Sequence, residues 1–287
     1  MGGSNILITG ANGQLGRALS EIYPKAVKTD ATELDITNTE ALKNFNWGGI
    51  ETIINAAAYT NVDGAETADG QKAAWAVNDK AVGNLADIAN QKDLTLVHIS
   101  TDYVFDGTKE IHTENEPVRP LGVYGKTKAA GDKRAAEAAK HYIVRSSWVI
   151  GDGANFARAI LTAAKTRSEL KVVADQFGRP TFTAEMARII DFLLRTKVPY
   201  GTYNGSNGGD IVNWADFARA ILQEAVSQTK VTDTTAAEYF AGKVSSERPV
   251  HSAFDLSKLE ALGYKSRDWH EDLREYIKKE LRMENGE

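Results

Sequence analysis

The 287-residue sequence contains no cysteine. That excludes a disulfide scaffold, cysteine-ligated zinc, thiolate catalysis and iron–sulfur clusters, and it suits a reducing compartment. No apolar run approaches the roughly 18 residues that mark a membrane-crossing helix, so no membrane association is expected. The first residues, Met1–Ser4, lead into an apolar segment without a basic stretch or a cleavage pattern. No signal peptide is expected, and the cytoplasm is the expected location. Positive charge is not in excess: the formal net charge is −5, and without a basic face a nucleic-acid partner is not expected. The five histidines, His98, His112, His141, His251 and His270, show no ligand spacing, and no metal site is expected. Internal repeats and low-complexity linkers are also missing.

What is present is ordinary globular composition, 42% hydrophobic and 25% charged, over a length that suits about two domains. Short β-rich runs alternate with helical segments. Strands are expected at 6–9, 26–29, 52–55, 94–99 and 142–145, with helices at 14–21, 71–91 and 126–140 between them. This alternation predicts an α/β fold of Rossmann type, a doubly wound parallel sheet with helices on both faces. Residues 1–150 would form the dinucleotide-binding domain. Residues 151–287 would form mainly a smaller α/β substrate-binding domain, and its later strands could return to the first sheet. The tail, Asp268 to Arg282, is amphipathic and charged and reads as a surface helix.

Gly10-Ala11-Asn12-Gly13-Gln14-Leu15-Gly16 follows the first expected strand and opens a helix. In this context the first glycine permits a tight turn, the second admits a pyrophosphate close to the backbone, and the third lets helix and strand pack closely. The helix N-terminus adds unpaired N–H groups and partial positive charge. Asp30 ends the second strand at the distance where an acid typically bonds the adenosine ribose, whereas Lys28 and Arg17 nearby could hold a 2′-phosphate. The choice between NADH and NADPH stays open. Ala56, Ala57 and Ala58, at the end of the third strand, leave room for a cofactor.

Tyr124 and Lys128 stand in a YxxxK pattern at the start of an expected helix, so they share one face. A neighbouring ammonium would lower the phenol's proton affinity. Ser100 and Thr101, at the end of the fourth strand, both offer a hydroxyl that could polarise a carbonyl oxygen. Lys126 to Lys140 carries five basic and two acidic residues, a solvated face plus one catalytic lysine.

Taken together, Gly10–Gly16, the Asn55–Asp63 run, Ser100-Thr-Asp-Tyr-Val-Phe105, Tyr124-Gly-Lys-Thr-Lys128, Arg145-Ser-Ser-Trp-Val149 and Asp175-Gln-Phe-Gly-Arg-Pro-Thr181 resemble the dTDP-4-dehydrorhamnose reductases. These are extended short-chain dehydrogenase/reductases. The resemblance spans nearly the whole chain. It implies NADPH- or NADH-dependent reduction of dTDP-4-dehydro-β-L-rhamnose to dTDP-β-L-rhamnose, the last step toward a rhamnose donor for cell-surface polysaccharide. It also implies Tyr124 as proton donor, Lys128 as its electrostatic partner and Thr101 as the carbonyl-orienting hydroxyl. Asp102 and Trp148 would meet the nucleotide-sugar. Gly13, Gln14 and Leu15 would meet the pyrophosphate, and Asp30, Asp35, Ile36 and Ala56 to Ala58 would line the rest of the groove. Arg179 and Arg248 are candidates for the diphosphate because a guanidinium forks onto phosphate oxygens. The segment Arg248 to Asp255 departs from the family pattern at His251 and Phe254, which leaves its substrate contacts open.

An epimerase or dehydratase is the alternative within this superfamily, but dehydratases usually carry a second acid where Tyr103 follows Asp102. A non-catalytic NADP-binding regulatory subunit is the alternative outside catalysis, and the intact Thr101/Tyr124/Lys128 set argues against it. A homodimer is left open.

Overall fold

A computed structural model describes residues 5–284; Met1–Ser4 lie outside the described residues. Six strands form the central sheet: β1 (Ile6–Thr9), β2 (Val27–Thr29), β3 (Thr52–Asn55), β4 (Thr95–Thr101), β6 (His141–Ser146) and β11 (Gly201–Asn204). A short strand, β5 (Ile111–His112), lies in the loop between β4 and β6. The sheet order is β11-β6-β4-β3-β1-β2, and every pairing is parallel. The chain leaves β1 first toward β2 and then returns to the other side at β3. That reversal is a topological switch point, where a crevice opens at the strand ends.

The helices between these strands are α1 (Gln14–Ile22), α2 (Thr39–Asn44), α3 (Ala68–Trp75), α4 (Ala81–Lys92) and α5 (Val123–Ala135). Strand alternation sorts side chains to two apolar layers. Leu7, Ile53 and Leu96 face α2 and α4, while Ile6, Ile8, Ile54 and Val97 face α1. The second layer is completed from the C-terminal half, where α7 (Thr183–Thr196) supplies Met186, Ile189, Ile190 and Leu193. β11 follows α7 and pairs with β6, so chain beyond residue 150 returns to the first sheet.

A third core lies among α6 (Phe156–Ala164), β8 (Glu169–Val173), α8 (Trp214–Glu224) and α11 (Trp269–Glu284). Short strands tie this region together: β7 (Val149–Ile150) with β10 (Thr181–Phe182), β9 (Phe177–Gly178) with β12 (Val212–Asn213), and β8 with β13 (Lys230–Thr234). β14 (Ala253–Phe254) pairs back to β5, and α9 (Ala236–Phe240) and α10 (Ser257–Ala261) complete the chain order.

Three elements differ from expectation. The Ala-rich stretch 71–91 is not one helix: a π-turn at Ala76–Lys80 separates α3 from α4. The helix carrying Tyr124 and Lys128 begins at Val123, earlier than expected, and ends at Ala135. The tail helix is more than a surface helix, because Trp269, Leu273 and Ile277 are buried in the third core.

Candidate active site

A cavity of about 710 Å³ opens at the switch point, along the C-terminal ends of β1, β3 and β4. Its floor includes Thr9, Gly10, Gly13, Gln14 and Leu15. Asp30, Asp35 and Ile36 line one end, and Ala56, Ala57 and Ala58 line the β3 side. Thr101, Asp102, Tyr124, Lys128 and Trp148 close the other end. Most of the residues singled out in the sequence therefore converge on one groove.

The glycine turn is shaped to admit a ligand. Gly10 has φ +67°, and a Cβ there would lie 2.6 Å from the Ala57 nitrogen. Only glycine lets this turn sit so close to β3. Gly16 serves packing and does not line the groove: a Cβ there would lie 2.2 Å from the Gly10 carbonyl oxygen. Asn12 also lies off the groove, and its backbone N–H donates to Asp30 Oδ2 at 3.2 Å. This bond ties the turn to the end of β2. Gln14 Nε2 donates to the Ala154 carbonyl at 3.1 Å, linking the N-terminus of α1 to the C-terminal region. Cavity size, bare glycine backbone and helix N-terminus fit a dinucleotide.

Thr101 and Ser100 are separated by their surroundings. Ser100 lies beside Asp132. Thr101 faces the Tyr124 phenol, and its hydroxyl donates to Asp102 Oδ1 at 2.9 Å. Tyr124 also meets the Tyr103 ring edge-on, with centroids 5.4 Å apart. Burial, and then the nearby Asp102 carboxylate, push the Tyr124 phenol above its ordinary range. The expected lowering by Lys128 is not found. The Lys128 ammonium is turned away to the Ile99 carbonyl, at 2.6 Å. Burial pushes Lys128 down to about 8, against the upward pull of Asp132. Asp102 is also buried, which pushes it up to about 6 despite the nearby Ser252 hydroxyl and the hydrogen bond from Thr101.

A second cleft of about 380 Å³ shares Tyr103 and Trp148 with the first. Trp148 adopts φ +48°, a strained backbone for a bulky residue. Its ring stacks on Trp214 at 3.5 Å and lies over bare Gly178, where a Cβ would come 2.7 Å from it. Arg248 lines this second cleft, but its guanidinium is already held by Asp63 at 2.8 and 2.9 Å and lies 4.3 Å over Phe240. Arg179 lines neither cleft, contrary to expectation. Its Nε donates to the Gly209 carbonyl and its Nη1 to the Phe254 carbonyl, each at 2.9 Å. It anchors loops. Sequence reading missed Arg167 and Lys171, which line the second cleft on either side of the start of β8. His251 stacks on Phe177 at 5.5 Å, and its carbonyl accepts from His112 Nε2 at 3.1 Å.

These features define a Rossmann-type α/β protein with a dinucleotide groove, a threonine–tyrosine–lysine set and an adjoining aromatic cleft. The family model for the RmlD substrate binding domain matches residues 4–282, and the chain belongs to that family. A dTDP-4-dehydrorhamnose reductase of Aggregatibacter actinomycetemcomitans is 38% identical over 94% of this chain and 97% of its own. The spore coat polysaccharide biosynthesis protein SpsK of Bacillus subtilis is 34% identical over 96% and 97%. Among solved structures, a dTDP-4-dehydrorhamnose reductase from Clostridium acetobutylicum superposes with a TM-score of 0.91 at 40% identity, covering 96% of this chain and 99% of that one. The Bacillus anthracis reductase, solved in complex with NADP, gives 0.89 at 35% identity, covering 96% and 98%. Among the described residues, no helix is long and apolar enough to cross a membrane, and no cluster of three or more His, Cys, Asp or Glu could hold a metal ion.

Proposed function

We propose that this protein reduces the C4 carbonyl of dTDP-4-dehydro-β-L-rhamnose, using NADPH or NADH, to give dTDP-β-L-rhamnose for polysaccharide synthesis. The observation that carries this reading is the convergence of Thr101, Tyr124 and Lys128 on a glycine-floored groove in a chain of this family. When bound, the nicotinamide cofactor supplies the hydride.

The chain's own residues do the rest. On substrate binding the Thr101 hydroxyl turns its single hydrogen from Asp102 Oδ1 to the carbonyl oxygen and polarises it. Tyr124, kept protonated by burial, gives its proton to that oxygen as negative charge develops there. Lys128, which lines the groove, is the cation we assign to the cofactor's ribose. Gly10, Gly13, Gln14 and Leu15 cradle the pyrophosphate, Asp30, Asp35 and Ile36 hold the adenosine end, and Ala56 to Ala58 leave it room. Trp148, which lines both clefts, and Asp102, which lines the first, orient the sugar. Arg167 and Lys171 are the cations we assign to the diphosphate, with Arg248 held by Asp63 as a wall of that cleft. The cytoplasm, where both charged nucleotides are available, is the compartment we assign.

The test is oxidation of NADPH and of NADH, followed by absorbance, in the presence of dTDP-4-dehydro-β-L-rhamnose. Tyr124→Phe should lower kcat by about 10²–10⁴-fold and leave cofactor affinity nearly intact. Cofactor binding without turnover in the unsubstituted protein would defeat the reading.

A further inference from the structure

Thr9, Asn55 and His98 are register partners across β1, β3 and β4. They lie on the sheet face that carries Leu7, Ile53 and Leu96, and each is at most 1% exposed. They form a hydrogen-bonded row. Thr9 Oγ1 donates to Asn55 Oδ1 at 2.8 Å, and Asn55 Nδ2 lies 3.3 Å from His98 Nδ1. His98 Nε2 then meets Lys128 Nζ at 3.5 Å. Thr9 lines the floor of the groove and Lys128 its far end. A polar row therefore runs beneath the groove from the glycine turn to the lysine. Placing four polar side chains against an apolar core is costly unless each is paired, and the chemistry above uses only Lys128.

A neutral imidazole has one donor and one acceptor. Burial, and then the Lys128 charge, hold His98 well below its ordinary range, so it is neutral. The imidazole tautomer selects between two arrangements of the row, and only a neutral lysine admits the second. With Lys128 charged, His98 Nε2 accepts and Nδ1 carries the hydrogen. Asn55 must then turn its oxygen toward His98 and its amide nitrogen toward Thr9. With Lys128 neutral, Nε2–H points at the amine lone pair, Nδ1 accepts from Asn55 Nδ2, and Thr9 donates to Asn55 Oδ1. The other charged groups near Lys128 are Asp132 on its own helix, paired with Arg145 of β6 at 3.2 Å, and Asp102 beyond β4, which acts on Tyr124. Asp79, on the π-turn packed against α5, is held by Arg134.

We propose that His98 is a positioning residue for Lys128, holding its amino group toward β4 and, through Asn55 and Thr9, coupling the lysine's charge state to an imidazole tautomer and an amide orientation beneath the groove. The inference rests on Lys128's role in the proposed reaction.

The first test compares His98→Leu with His98→Gln, whose amide can replace the Nε2 contact. Removing a neutral acceptor from an ammonium lowers its proton affinity, so in His98→Leu the alkaline limb of kcat should move down by about one pH unit. Its kcat should fall about tenfold or more with KM little changed, as for loss of an orienting partner, and His98→Gln should restore most of both. A folded His98→Leu with an unmoved alkaline limb overturns the proposal.

The second test needs no substrate and no His98 variant. In ¹⁵N-histidine-labelled protein, His98 should pass from the Nδ1–H to the Nε2–H tautomer as Lys128 titrates near its value of about 8. The change should vanish in Lys128→Met. A single tautomer throughout the titration overturns the proposal. A tautomer change in a protein that fails to turn over dTDP-4-dehydro-β-L-rhamnose would sink the functional reading and leave the row standing.

Discussion

Burial acts on both side chains beside the Thr101 hydroxyl, Tyr124 and Asp102, and raises both. For Tyr124 this preserves the acid form. For Asp102, raised to about 6, it is a cost at neutral pH, where the carboxylate is charged in both the folded and unfolded chain. A rise of roughly two units above the ordinary carboxylate value corresponds to about 3 kcal/mol. The sign follows from linkage: between about pH 4 and about 6 the folded protein binds the extra proton, so the penalty shrinks as pH falls through that window. Asp102→Asn keeps an acceptor for Thr101 and removes the charge. It should stabilise the protein by about 1–3 kcal/mol at pH above about 6, with a gain that fades toward pH of about 4; urea unfolding measures both. An equal gain at both pH values would show that the charge is not its source. The YxxxK spacing made Tyr124 and Lys128 legible in the sequence because four residues span one helical turn, whereas spacing left Ser100 and Thr101 open and only the family resemblance singled out Thr101. The row from Thr9 to His98 was not legible, since three residues in separate strands meet only through register. Arg179 misled because a guanidinium's partner can be a backbone carbonyl, and carbonyls leave no mark in a sequence.

At the scale of elements, α5 is placed by contacts from distant parts of the chain. Its first N–H, on Val123, donates to Glu66 Oε1 at 2.9 Å, and the same oxygen accepts from Ser246 Oγ at 2.8 Å. With its cap supplied from 57 residues away, the helix start could not be read locally. The π-turn was equally hidden, because an alanine-rich segment looks the same with five-residue or four-residue hydrogen bonding. Asn78 in that turn exchanges two hydrogen bonds with the Tyr59 backbone and a third with Thr127 on α5. Its carbonyl oxygen would lie 2.1 Å from a Cβ on Gly131. Gly131→Ala should therefore push α5, with Tyr124 and Lys128, off the groove. We expect a loss of about 1–3 kcal/mol and a fall in kcat. Gly83→Ala is the control, because its Cβ would meet only the flexible Arg134 side chain at 3.4 Å. It should be neutral or slightly stabilising through helix propensity. Thermal unfolding and turnover of the two variants decide the point: if Gly131→Ala behaves like Gly83→Ala, close approach of α5 to the π-turn is not required.

For the whole molecule, the parallel sheet and its glycine crevice followed from strand–helix alternation, while the boundary near residue 150 does not mark where packing ends. One face of the sheet, with Ile6, Ile8, Ile54, Val97 and Val144, is covered jointly by α1 and by α7 from beyond that boundary. The open edge of β6 is paired by β11. A fragment of residues 1–150 would lose both. It would expose an apolar sheet face and an unpaired parallel edge, the conditions that favour aggregation. We expect that fragment to be insoluble, or soluble without cooperative unfolding. Residues 1–204, which retain α7 and β11, should regain a cooperative transition by near-ultraviolet circular dichroism. The longer fragment still lacks α8 and α11, so its own β8 and α6 face loses partners and its transition should lie below that of the whole chain. Cooperative folding of 1–150 alone would mean that α1 suffices to cover that face. It would also relocate the groove's dependence on the C-terminal half to the Gln14–Ala154 and Arg17–Asp152 links, because those contacts would then be the ties left to test between the start of α1 and the substrate region.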